Sequence, residues 1–99
     1  VVEFSRAVEA ELGGADVLVN NAGVLLDADA GSAFEGEAST LERTWRVNTL
    51  GPFLLMRELL PGMRRRGHGR VVNLSSGMGQ LSEMNGGYPG YRLSKTALN

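Results

Sequence analysis

Residues 16–23 read Asp16-Val17-Leu18-Val19-Asn20-Asn21-Ala22-Gly23, a short apolar run that ends abruptly in two amides, an alanine and a glycine. An apolar run without polar alternation, closed by turn-forming residues, predicts a buried strand with its exit turn. A second run of the same kind, Arg70-Val71-Val72-Asn73-Leu74, ends at Ser75-Ser76. Two such strands separated by a long helical segment predict a parallel pair, because parallel strands need a crossover rather than a tight turn.

The crossover is legible between them. Ser39-Thr40-Leu41-Glu42 has the spacing of a capping box and predicts the start of a long helix. That helix runs through Trp45 and Leu50 to Arg64–Arg66, where positive charge suits the carboxyl end of the helix dipole, and Gly67-His68-Gly69 turns the chain. Upstream, Val1 to Leu12 predicts a helix with Val1, Phe4, Val8 and Leu12 on one face, stopped by Gly13-Gly14. Residues 24–38 lose periodicity and carry Asp27, Asp29, Glu35 and Glu37, which predicts a surface loop. A glycine-rich loop follows Ser76, and a last helix begins near Tyr91. The order helix–strand–helix–strand–helix predicts an α/β layered fold. Its ligands would bind outside the carboxyl ends of the strands, where Asn20–Gly23 and Ser75–Ser76 both fall.

Composition narrows the function classes. The chain has 99 residues, a formal net charge of -1 and 42% hydrophobic residues, which gives no electrostatic case for nucleic acid or an anionic membrane. No apolar run approaches the roughly 18 residues that span a bilayer. No export signal is visible, so a cytoplasmic location is the default expectation. Cysteine is absent, which excludes disulfides and thiolate zinc sites, and no metal site is expected. The chain opens on Val1 already inside an amphipathic pattern and closes at Asn99 without a glycine stop. Both ends read as cut, and residues 1–99 are expected to be part of one larger domain.

Two local features carry chemistry. Pro52 has no backbone N–H, so the Asn48 carbonyl four residues earlier loses its helical partner. The simpler reading is a kink; the alternative is a free acceptor beside Gly51. Tyr91 and Lys95 stand one helical turn apart. A free phenol ionises near pH ~10, and an ammonium on the same helix face favours its anion. A hydroxyl at the end of the neighbouring strand could then hold a substrate oxygen beside the phenol, which proposes carbonyl–alcohol chemistry. Tyr88 competes with Tyr91, but Pro89 drives residue 88 out of helical geometry and Arg92 stands where the lysine should be. His68, between glycines in a basic turn, is expected to be solvated and without a catalytic role.

Asn20-Asn21-Ala22-Gly23, Val47-Asn48 with Gly51 and Phe53, Asn73-Leu74-Ser75-Ser76 and Tyr91-x-x-x-Lys95 together resemble the short-chain dehydrogenase/reductase family. One such motif is weak, but four in order over residues 16–99 make a strong signal. The resemblance implies a Rossmann-like, doubly wound parallel sheet, here incomplete, without its N-terminal phosphate-binding strands and its C-terminal part. It implies hydride exchange between NAD or NADP and a small-molecule carbonyl or secondary alcohol. Tyr91 would be the general acid/base. Lys95 would favour the phenolate and bond the nicotinamide ribose. Ser76 would hold the substrate oxygen, and the Asn48 carbonyl would hold a water that reaches Lys95. Asn21, Ala22 and Gly23 would lie along the adenosine side of the cofactor.

Some features depart from the family pattern. The glycine-rich phosphate turn is absent, and neither Gly77-x-Gly79 nor Gly67-x-Gly69 replaces it. The residue that sorts NAD from NADP is absent too, and the segment from Ser76 to Tyr91 is slightly longer than the common pattern. Ser75 and Ser76 could merely end a strand, and Asn20-Asn21 could bind an adjacent strand. Trp45, Phe53, Leu54, Leu55, Met56, Leu59 and Leu60 are expected in the core. Their spread around the helix exceeds one sheet face, and with the resemblance implies a homo-oligomer, dimer or tetramer. The reading from another class is a non-catalytic nucleotide-binding or scaffold protein that keeps the fold.

Overall fold

The computed structural model describes all 99 residues. Helix α1 spans Val2–Leu12 and ends where Gly13 adopts the left-handed conformation (φ 73°), returning its N–H to the Glu9 carbonyl. Strand β1 covers Val17–Asn20 and strand β2 covers Arg70–Asn73. They pair in parallel, with Val17 opposite Arg70 and Asn20 opposite Asn73. Both strands therefore discharge their carboxyl ends on the same side, as the crossover logic requires.

The crossover is one long helical segment: α2 (Ala38–Trp45), a π-helical turn (Arg46–Leu50) and α3 (Gly51–Arg66). The capping box is not used. The helix starts two residues earlier, with Glu37 at its N-cap, no side-chain cap, and the Leu41 N–H on the Glu37 carbonyl at 3.0 Å. Ser39 thus lies inside the first turn, where it cannot cap. Ahead of Pro52 the helix widens into the π turn, in which the Gly51 N–H reaches the Arg46 carbonyl five residues back. Widening the turn by one residue redistributes the donors around the N–H that proline lacks.

Helix α1 lies against α3, and the Arg66 side chain ties their connections together. It donates to the carbonyls of Gly13 (3.2 Å) and Ala15 (2.8 Å). His68, exposed as expected, is also within 2.9 Å of the Asp16 carboxylate. The last helix, α4, spans Pro89–Leu98 and packs on α2.

Burial departs from the sequence reading. Leu59 and Met63 are the buried hydrophobic residues, while Val17, Val19 and Val72 are exposed. Leu18 and Val71 on the other face are half-buried, so one face of the two-stranded sheet is open, as are its outer edges. Phe4 and Leu12 on α1, and Trp45, Phe53 and Leu60 along the crossover, are likewise exposed. The molecule is a slab of 46 × 26 × 14 Å.

Candidate active site

The best-buried part of the chain is polar. Thr44, Asn48 and Ser94 are fully enclosed, and Lys95 is 5% exposed. Such groups are tolerated inside only when their hydrogen bonds are made, and here they knit three elements together. The Asn48 carboxamide sits in the π turn. Its Oδ1 accepts the Val24 N–H at 2.8 Å, and its Nδ2 donates to the Val24 carbonyl (2.9 Å) and to Ser94 Oγ (3.0 Å). Ser94 Oγ donates in turn to the Tyr91 carbonyl at 2.8 Å, and Thr49 Oγ1 donates to the Ser94 carbonyl at 2.8 Å. The loop after β1, the crossover and α4 are thereby fixed to one another.

Lys95 Nζ donates to the Leu74 carbonyl at 2.8 Å, at the point where β2 ends and Ser75-Ser76 begin. It also lies 5.9 Å from the centre of the Tyr91 ring, within the reach of a cation–π contact. A Cβ built on Gly23 would be 3.5 Å from Asn48 Oδ1 and 3.6 Å from Lys95 Nζ. Glycine at the exit of β1, the buried amide and the ammonium are thus neighbours. Tyr91 and Ser76 are half-buried, open enough for a small molecule to reach. Ser76 Oγ caps the short 3₁₀ turn Gly77–Gly79 by accepting the Met78 N–H at 3.1 Å.

Of the residues singled out by sequence, Gly23, Asn48, Tyr91 and Lys95 are drawn together, and Ser76 follows the strand end that holds Lys95. Asn21 and Ala22 are exposed beside them. Asn20 is set apart: it is buried, and its Nδ2 donates to Asn73 Oδ1 at 2.7 Å, so it clips the two strand ends. Sequence reasoning missed the Asn48 side chain, having looked only at its carbonyl, and it missed Ser94 and Thr49. A signal for Ser94 was present: Tyr91, Ser94 and Lys95 share one helical face at spacings of three and four.

Gly79 is another fixed point. A Cβ there would sit 2.9 Å from the Lys95 carbonyl carbon and 3.1 Å from its Cβ. Gly79→Ala should therefore push the loop off α4 and destabilise the protein by about 1–3 kcal/mol. Thermal unfolding checks this; an unchanged melting temperature would mean that the loop gives way freely.

Comparisons with known proteins bear on the family and the fold. The profile of the family described as short chain dehydrogenase matches residues 1–99. Estradiol 17-beta-dehydrogenase 11 of Macaca fascicularis is 37% identical over 82 residues, which is 83% of this chain and 26% of that protein. The chain thus spans about a quarter of the length of that relative. Among solved structures, a short-chain dehydrogenase from Streptomyces avermitilis superposes with a TM-score of 0.86 at 41% identity, over 97% of this chain and 34% of that one. A metagenomic short-chain oxidoreductase in complex with NADP superposes with a TM-score of 0.84 at 30% identity, over 99% and 42%. With the profile matched from end to end and the parallel α/β fold shared, the chain belongs to the short-chain dehydrogenase family.

Proposed function

We propose that residues 1–99 are the central part of a doubly wound, nicotinamide-dinucleotide-binding domain, and that the whole protein interconverts a small carbonyl compound and its alcohol. The observation that carries this reading is Lys95. A buried ammonium is held by the Leu74 carbonyl at a strand end while facing the Tyr91 ring at 5.9 Å. A lysine kept only for solubility would not be enclosed there.

The residues fit the ribose end of such a cofactor. An ammonium has three N–H donors; one is engaged by Leu74, which leaves donors for ribose hydroxyls. Gly23, bare of a side chain beside that ammonium, leaves room for close approach, and Asn21 and Ala22 continue the same exposed edge toward the adenosine side. Nothing among these residues supplies a glycine-rich pyrophosphate turn. The solved relative in complex with NADP supports a nicotinamide dinucleotide, NAD or NADP, as the cofactor.

The cofactor, when bound, supplies the hydride. The chain's own contribution is position and proton transfer. In the reducing direction, Tyr91 gives its phenolic proton to the substrate oxygen, and Ser76 donates a hydrogen bond to the same oxygen. The Lys95 ammonium offsets the negative charge left on the phenol. Asn48 serves twice: its carboxamide locks the β1 exit to α4, and its main-chain carbonyl, which Pro52 leaves without a donor at helical spacing, is the acceptor that continues the proton path from Lys95. Exposed apolar side chains along the crossover, Phe53 and Leu60 among them, fit a homo-oligomer of the whole protein.

An assay of the whole protein with NADH and NADPH, over a broad panel of aldehydes and ketones, tests the proposal. Nucleotide oxidation that depends on both cofactor and carbonyl is the expected result. Saturable cofactor binding without turnover on any member of the panel would favour the scaffold reading instead.

A further inference from the structure

Asp27 lies in the stretch that the sequence reads as plain surface loop, yet it is 6% exposed. Its Oδ2 accepts the N–H of Gly90, the second residue of α4, across a separation of 63 residues. The approach is close at that point: a Cβ on Gly90 would lie 3.1 Å from Asp27 Oδ2 and 3.4 Å from Leu41 Cα, so a larger residue would crowd the carboxylate.

The carboxylate supplies what α4 lacks. The helix has no side-chain cap of its own, and its N-cap, Tyr88, is in the left-handed conformation (φ 50°, ψ 52°). That conformation is unfavourable for a bulky residue and persists only when its surroundings impose it. Asp27 and its turn impose it. The Ala30 N–H closes the turn on the Asp27 carbonyl at 3.1 Å, and the Ala30 carbonyl accepts the Tyr88 N–H at 3.3 Å. The turn thus grips the residue before α4 and its second residue together. A negative charge at the amino end of a helix is also the favourable sign for the dipole.

Helix α4 has a separate anchor further on. Ser94 and Lys95 are fixed by Asn48, Thr49 and the Leu74 carbonyl. Tyr91 directly follows Gly90, on the Asp27 side of that second anchor. The first turn of α4 thus has an anchor of its own besides the Ser94 Oγ bond to the Tyr91 carbonyl, while Lys95 is held by the Leu74 carbonyl.

We propose that Asp27 is a positioning residue for Tyr91: acting as a remote cap on α4, it fixes the first turn of the helix, and with it the phenol, through contacts that do not involve Lys95. This rests on the reading of Tyr91 as the proton-transfer group.

The test uses the whole protein with Asp27→Ala, Asp27→Asn and Gly90→Ala. The alanine variant should lower kcat by about 10- to 100-fold, the size expected of a slight misplacement of a reacting group, with cofactor Kd nearly unchanged because Lys95 keeps its anchor. Asp27→Asn should recover most of the rate, since its amide oxygen can still accept the Gly90 N–H. Gly90→Ala, which crowds the carboxylate without removing it, should give the same split. An unchanged kcat in Asp27→Ala, a parallel loss of cofactor affinity, or an asparagine variant as impaired as alanine would overturn the proposal. Amide exchange at Gly90 and the Tyr91 ring resonances provide a readout without turnover. Both should change in Asp27→Ala while the Lys95 side-chain resonances hold, and failure of that pattern overturns the proposal even in a protein that shows no turnover. Absence of turnover in the wild type would instead count against the catalytic reading itself.

Discussion

Tyr91→Phe in the whole protein is expected to lower kcat by about 10²–10⁴-fold, the range associated with removing a positioned proton donor, and to leave cofactor affinity nearly intact. The asymmetry follows from what the substitution touches. Phenylalanine keeps the ring, so the Lys95 ammonium retains an aromatic face at about the wild-type separation of 5.9 Å. The bond from Lys95 to the Leu74 carbonyl does not involve the phenol. Ser94 Oγ donates to the backbone carbonyl of residue 91, which phenylalanine also has. Only the transferable proton is lost. Lys95→Met should behave differently, with kcat and cofactor affinity falling together, because the ammonium is removed from the ribose contact and the Leu74 carbonyl loses its donor. Steady-state kinetics with a separate cofactor titration distinguish the two patterns. A Tyr91→Phe enzyme with near-normal kcat would remove Tyr91 from the chemistry.

The parts of the site that could be read from sequence share one property: their residues are local. The apolar run before Asn20-Asn21-Ala22-Gly23, the strand ending at Ser75-Ser76 and the one-turn spacing of Tyr91 and Lys95 each express themselves within a few positions. The parallel pairing followed from the length of the crossover. What escaped is long-range or depends on competition between local devices. Asp27 meets Gly90 across 63 residues, and nothing around Asp27 distinguishes it from Asp29, which stays exposed. The Asn48 carboxamide joins Val24 and Ser94 across 24 and 46 residues. Pro52 announced a missing donor but not that the helix widens ahead of it, and the fully buried Asn48 amide belongs to that widened turn. Burial was misread for a different reason. Periodicity reports which face a segment offers to a partner, not whether that partner lies within these residues, so Phe4, Val19 and Phe53 offer apolar faces that remain open.

The 99-residue chain on its own should be marginally stable, prone to association and unable to bind a nicotinamide dinucleotide tightly. Its hydrophobic burial is small, with Leu59 and Met63 the apolar residues enclosed. Its Cα radius of gyration is 15.7 Å, against the roughly 13 Å expected of a closed domain of this length. The sheet is a single parallel pair, and two strands without a covered face contribute little independent stability. Each has an unpaired outer edge, and Val17, Val19, Val72 and Leu74 are exposed. That combination invites edge-to-edge pairing with other chains. Cofactor binding should be weak for a separate reason. The pyrophosphate of a dinucleotide is normally met by a glycine turn and the amino end of a helix, where free N–H groups and the dipole favour negative charge. Here α1 opens at Val1-Val2 without such a turn, and the amino end of α4 is already occupied by the Asp27 carboxylate. Lys95 and Gly23 could contact only the ribose end. The expected results are a broad thermal transition by circular dichroism, aggregation that grows with concentration, and no saturation in a cofactor fluorescence titration under conditions that saturate the whole protein. A cooperative transition in the range of about 45–65 °C typical of mesophilic domains, together with tight cofactor binding, would show that these residues close a complete binding domain without further strands.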